Sequence, residues 1–185
     1  MIGKASSIHP TGPRRGTSRS RELPLRFILL FVFYLLVGNF SLAIPIVDNK
    51  FIEPWTNANA TAAAGLSRLF GTQTRASGMT LISGPVSLSV KKGCNGVEAL
   101  IILASAILAF PERWSRRLVG LLFGAIAIFG FNLLRLVNLL LVAVYFPAQL
   151  ELFHIYIWQT LIVLIAFGVF LLWGTLVASK SRGTP

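Results

Sequence analysis

One cysteine in 185 residues, and a charged content of only 12%, are the first shortages in this sequence. A lone cysteine forms no internal disulfide and does not build a zinc or iron–sulfur site, so Cys94 is either a small buried hydrophobe or a reactive thiol. The shortage of charge excludes a soluble domain. With 55% hydrophobic residues and a mean hydropathy of +0.74, the chain has too little polar surface to cover a core of its size, and lipid is the solvent for much of it. Also missing is any basic stripe interleaved with stacking aromatics, so the net charge of +11 does not point to nucleic acid. The basic residues gather instead at the ends of apolar runs, where they set orientation in a membrane. No internal repeat or heptad pattern is visible.

About twenty apolar residues carry a helix across the hydrocarbon core. Four segments meet or approach that length: 27–46, the short 96–110, the long 118–146 and 155–177. The predicted fold class is an all-α integral membrane protein, a four-helix transmembrane bundle forming one domain over 25–180. Residues 1–24, rich in Ser, Gly, Pro and Arg, read as a disordered basic tail, and 181–185 as a short second tail. The run 27–46 is too long for an ordinary signal-peptide core, and Ala43-Ile44-Pro45 makes a poor cleavage site, so it is expected to remain as a membrane helix. Arg14 to Arg26, then Arg113, Arg116 and Arg117, then Lys180 and Arg182 all fall on one side of four spans. That side is expected to be cytoplasmic, with both termini inside and residues 47–93 and 147–154 outside. Within the external segment, residues 51–70, carrying Trp55, Leu66, Leu69 and Phe70, suit an interfacial amphipathic helix. Residues 79–90 alternate on both sides of Gly84-Pro85 and suit a short β-hairpin.

Three residues stand out against this background. Cys94 lies at the outer mouth of the second segment between Gly93 and Gly96, which permit tight turning. A helix N-terminus and the neighbouring Lys91 and Lys92 would favour its thiolate. Arg135 sits inside the third apolar segment, where an arginine costs roughly 2.5–3.5 kcal/mol at a helix centre and so normally faces a polar interior with a role. Asn132 and Asn138 stand three residues to either side of it, broadly on one helical face. His154 opens the fourth segment, beside Tyr156 and Trp158. The charge-derived topology puts all three at one depth on the non-cytoplasmic side. A Cys/His pair is the ordinary requirement for a thiol nucleophile, because the base takes the proton and later returns it to the leaving group. A nearby guanidinium can hold a carboxylate or an oxyanion. Glu98, four residues after Cys94, is a further candidate polar partner.

Gly93-Cys94-Asn95-Gly96 at a helix start, Asn132-Leu133-Leu134-Arg135 in the next long helix and His154 opening the following one resemble the exosortase/archaeosortase family, in its compact exosortase H form. The resemblance covers about half the chain, residues 93–177. It implies a thiol peptidase or transpeptidase in a bacterial inner membrane, acting at the outer face on the C-terminal transmembrane sorting signals (PEP-CTERM type) of exported proteins. It implies Cys94 as nucleophile forming a thioester, Arg135 as electrophilic stabiliser and His154 as general acid/base. Asn95, Gly96, Glu98, Asn132 and Asn138 would be supporting residues. An amine acceptor or water would resolve the thioester, and neither metal nor organic cofactor is required. The rival expectation is a non-enzymatic transport or assembly subunit in which Arg135 binds an anionic group. A lipoprotein cysteine is disfavoured because Lys91 and Lys92 interrupt the apolar run before Cys94.

Overall fold

A computed structural model of the chain describes residues 19–91 and 93–182, with side chains from Pro24 to Val177. Most of both expected tails and Lys92 lie outside the described residues. Helix α1 (Arg19–Ser41) begins upstream of the expected start at Phe27. Its last carbonyls are closed by its own side chains, Asn39 Nδ2 donating to Leu35 O (2.8 Å) and Ser41 Oγ to Gly38 O (2.7 Å). The chain re-enters helix with a single turn α2 (Pro45–Val47), a π turn (Asp48–Ile52) and then α3 (Glu53–Arg68).

Three antiparallel strands follow, β1 (Thr74–Ser77), β2 (Thr80–Ser83) and β3 (Val86–Ser89), in the order β1-β2-β3. The hairpin expected about Gly84-Pro85 is present as β2–β3, with Ser83 opposite Val86 and Gly84 at φ +56°. Strand β1 was not foreseen, and the chain as a whole is mostly helical. Its four residues carry Arg75 and polar ends, too short and too polar to register as an alternating run.

Helix α4 (Val97–Ala109) stops where Phe110 precedes Pro111, because proline drives the residue before it out of the helical region (φ −69°, ψ 133°). At 13 residues it is about 20 Å long and falls short of the roughly 30 Å hydrocarbon core. Helix α5 (Trp114–Tyr145) runs unbroken for 32 residues, about 48 Å, and Phe146 before Pro147 ends it. A short 3₁₀ turn (Pro147–Gln149) and a π-helical stretch (Leu152–Trp158) lead into α6 (Gln159–Arg182). Among the described residues, three helical stretches are long and apolar enough to cross a membrane, Pro24–Ser41, Trp114–Tyr145 and Leu152–Val177. The protein is a multi-pass, mostly helical membrane protein in which the shorter α4 packs against α1, α5 and α6.

Two buried cores divide the work. In the bundle, Leu103, Ile107, Ile128, Ile162, Ala166 and Trp173 interlock. Close approach is essential there: a Cβ on Gly124 would lie 2.5 Å from Leu103 Cδ2, the small-residue contact typical of membrane helices. The second core joins α3, the sheet and the last third of α5, where Ala60, Ala63, Ala64, Leu81, Leu136, Val137 and Leu140 meet. Residues 136–145 thus continue α5 without turning back. Before Arg135, α5 exposes Leu118, Leu122, Ile126 and Leu134; after it, Leu136, Val137 and Leu140 are buried under α3 and the sheet. Helix α3 thus packs through small alanines, while Leu69 and Phe70 are exposed beyond it.

Candidate active site

Cys94 occupies a tight turn just ahead of α4, its N–H bonded to Lys91 O (2.9 Å). Positive φ at Gly93 (+89°) and Gly96 (+75°) folds the turn back on itself, a conformation that a Cβ resists. Asn95, 1% exposed, fastens it: its Oδ1 accepts from Val97 N–H (3.2 Å), and its Nδ2 donates to Thr56 Oγ1 (3.0 Å). Trp55 Nε1 donates to Asn95 O (2.9 Å). The turn is therefore anchored to α3 from both its side chain and its backbone, and the thiol is buried among apolar neighbours of the second core.

His154 reaches this thiol from the π-helical stretch, with Nε2 2.6 Å from Cys94 Sγ. Arg135, only 1% exposed, comes from α5 with Nη2 3.8 Å from the same sulfur. The three residues singled out in the sequence thus converge on one point, although each lies on a different stretch of chain. Gln159 joins them. Its Oε1 accepts from Arg135 Nη2 at 3.5 Å, while Arg135 Nε finds no hydrogen-bond partner among the described residues. Gln159 follows His154 by five residues, which in an α-helix would point it away. The wider π turn, with its i→i+5 spacing, brings both to the same side. Its sequence signal was a polar side chain near the start of an otherwise apolar run.

A family model for transmembrane exosortases matches residues 23–174. The chain belongs to the transmembrane exosortase family. Searches of curated proteins and of solved structures returned no match. The family is one of membrane cysteine proteases and transpeptidases, and the exosortase chain brings together a thiol, an imidazole and a guanidinium of the kind such chemistry uses.

Burial is the largest influence and pushes the Cys94 thiol up; Arg135 opposes it, and Glu98 adds to the upward push. Lys91 is exposed. Among the described residues, the charge that favours the thiolate in this exosortase comes from Arg135 across the bundle. Glu98 acts on the sulfur through space rather than through a hydrogen bond.

The remaining supporting residues hold the frame. Asn132, fully buried, donates to Asn59 Oδ1 (3.0 Å), tying α5 to α3, and its Cγ would lie 3.2 Å from a Cβ on Gly96. Asn138 accepts from Trp158 Nε1 (2.8 Å), securing the π-helical stretch four residues after His154. The asparagines flanking Arg135 therefore point to different neighbours, and neither touches the thiol. Thr56 and Asn59 were not foreseen, since the Thr-Asn-Ala-Asn run of α3 resembles a solvated face until α5 covers it. An open cleft of about 550 Å³ exposes the site, with Ser89, Lys91 and Cys94 on one wall and Pro147, Glu151 and His154 on the other.

Proposed function

We propose that this exosortase-family protein is a cysteine peptidase or transpeptidase that processes the C-terminal transmembrane sorting signals of exported proteins through a thioester. The observation that carries this reading is the contact of His154 Nε2 with Cys94 Sγ (2.6 Å), with the Arg135 guanidinium 3.8 Å from the sulfur, at the floor of an open cleft. In the first step neutral imidazole takes the thiol proton at Nε2, and the sulfur attacks the scissile carbonyl carbon. The carbonyl π electrons move to oxygen, and Arg135 stabilises that oxyanion. The imidazolium returns the proton to the departing amine as the C–N bond breaks, leaving an acyl thioester on Cys94. An incoming amine or water gives its proton to His154, attacks the thioester and releases the Cys94 thiol.

The proposed topology has four spans, the short α4 being sheltered by α1, α5 and α6, with both termini in the cytoplasm of a bacterial inner membrane. Arg26, Arg113 and Arg117 line one recess at the end of the bundle opposite the thiol, which supports assigning that end to the cytoplasm. The cleft then opens outward, level with the outer leaflet, where a substrate helix arrives laterally.

Cells carrying Cys94→Ala should insert the protein normally yet leave an exported protein with such a signal unprocessed. Unchanged processing would overturn the reading and favour the anion-binding transport or assembly subunit, in which Cys94 is dispensable and Arg135 is not. A membrane-impermeant maleimide should label Cys94 in intact cells; labelling only after permeabilisation would reverse the assigned orientation.

A further inference from the structure

Sheets with open edges invite another strand, and most proteins cover them. Here the two edges are treated differently. On β1, Arg68 Nε donates to Thr74 O (2.9 Å), so α3 closes part of that edge. On β3 nothing equivalent exists among the described residues.

The register fixes which backbone groups are free. Val90 N–H bonds Met79 O (2.8 Å), and Leu81 opposes Leu88 while Ser83 opposes Val86. In an antiparallel ladder the bonded pairs alternate. Val86, Leu88 and Val90 therefore turn their N–H and C=O groups toward β2, and Ser87 and Ser89 turn theirs outward. Ser89 lines the same cleft as Cys94 and His154, and the chain from Ser89 reaches the thiol within five residues. The edge is thus continuous with the catalytic pair, and it is the part of the cleft wall with unused main-chain donors and acceptors.

We propose that the edge of β3 is the substrate-binding strand: an extended segment of the substrate polypeptide adds beside it as a fourth strand, bonded to the outward groups of Ser87 and Ser89. This deepens the peptidase reading and rests on it. Main-chain bonds would give affinity for any extended segment, and alternate side chains of that segment would face the cleft wall formed by Leu88 and Leu139. Such a mode requires an extended substrate at the thiol rather than a helical one. The sorting helix would have to end, or unwind, before the scissile bond.

Proline provides the test, because it removes a backbone N–H. Ser89→Pro deletes an outward donor while leaving every β2–β3 bond in place, since proline is tolerated on the open side of an edge strand. Processing of the sorting signal should fall by roughly five- to tenfold, the worth of a main-chain hydrogen bond plus the ring's obstruction. Labelling of Cys94 by a small maleimide in the same variant should be unchanged, which separates lost binding from a damaged site. The second arm maps geometry. In a Cys94→Ser background, Ser89→Cys should form disulfides with single cysteines placed at every second position of the substrate segment. Wild-type processing in Ser89→Pro with normal thiol labelling, or cross-links at three- and four-residue spacing, overturns the proposal. Persistent processing in Cys94→Ala would instead bring down the peptidase reading, so the two failures are distinguishable.

Discussion

Replacing Arg135 by Gln separates its electrostatic role from any part in assembling the bundle. The guanidinium lies 3.8 Å from Cys94 Sγ and is buried. At an effective dielectric near 20, a unit charge at that distance favours a thiolate by about 4 kcal/mol. The sign is fixed by the groups present: burial already pushes the thiol up, and Arg135 is what opposes it. Its removal therefore raises the thiol further, and at a pH below both values the thiolate population falls. Assembly moves the other way. Removing an arginine from a membrane helix relieves roughly 2.5–3.5 kcal/mol of insertion cost, so the variant should insert at least as well as the parent. The assay is the rate at which iodoacetamide alkylates Cys94 in detergent-solubilised protein between pH 6 and 9. The parent profile should lie to the acid side, with Arg135→Gln displaced to higher pH and Arg135→Lys, which keeps the charge but not the fork, between them. Superimposed profiles for the parent and Arg135→Gln would refute the electrostatic argument.

Two further predictions concern the frame. Gly96→Ala places a Cβ at φ +75° and 3.2 Å from Asn132 Cγ, so thermal unfolding in detergent should report a loss of about 1–3 kcal/mol together with slower alkylation of Cys94. Asn59→Leu strands Asn132 Nδ2 in a buried place and should cost about 1–3 kcal/mol, whereas the Asn59→Leu/Asn132→Leu pair should recover much of it; additive losses in the double-mutant cycle would count against the Asn59–Asn132 hydrogen bond.

Much of the candidate site was legible in the sequence, for reasons peculiar to membranes. A lone cysteine, an arginine costly to place in lipid and a histidine at a helix mouth are conspicuous because the surrounding composition is so apolar. The Gly84-Pro85 hairpin was visible through its alternation, and the glycines around Cys94 announced a tight turn that their positive φ values bear out. Other features left no such trace. Hydropathy reads an apolar run alike whether lipid or protein covers it, so the burial of Leu136, Val137 and Leu140 under α3 and the sheet was invisible. Counting apolar residues marked α4 as a short segment, but not that α1, α5 and α6 would pack around its 13 residues. Asn132 and Asn138 shared a helical face with Arg135, and that shared face suggested a common site. Their partners Asn59 and Trp158 come from other elements and draw them away from the thiol.

The sequence by itself determined the solvent, the apolar helices and three side chains out of keeping with their surroundings, because transfer free energies act residue by residue along the chain. Only the tertiary structure decided that these three meet. Contact between Cys94 and His154, sixty residues apart, depends on how α4, α5 and the π-helical stretch pack, and no local preference encodes that distance. The same packing set the charge of Arg135 beside the thiol, brought Gln159 round to the guanidinium and left the β3 edge open beside the sulfur. Each of these outcomes is a property of several segments at once, set by which burial and which hydrogen bonds can be satisfied together.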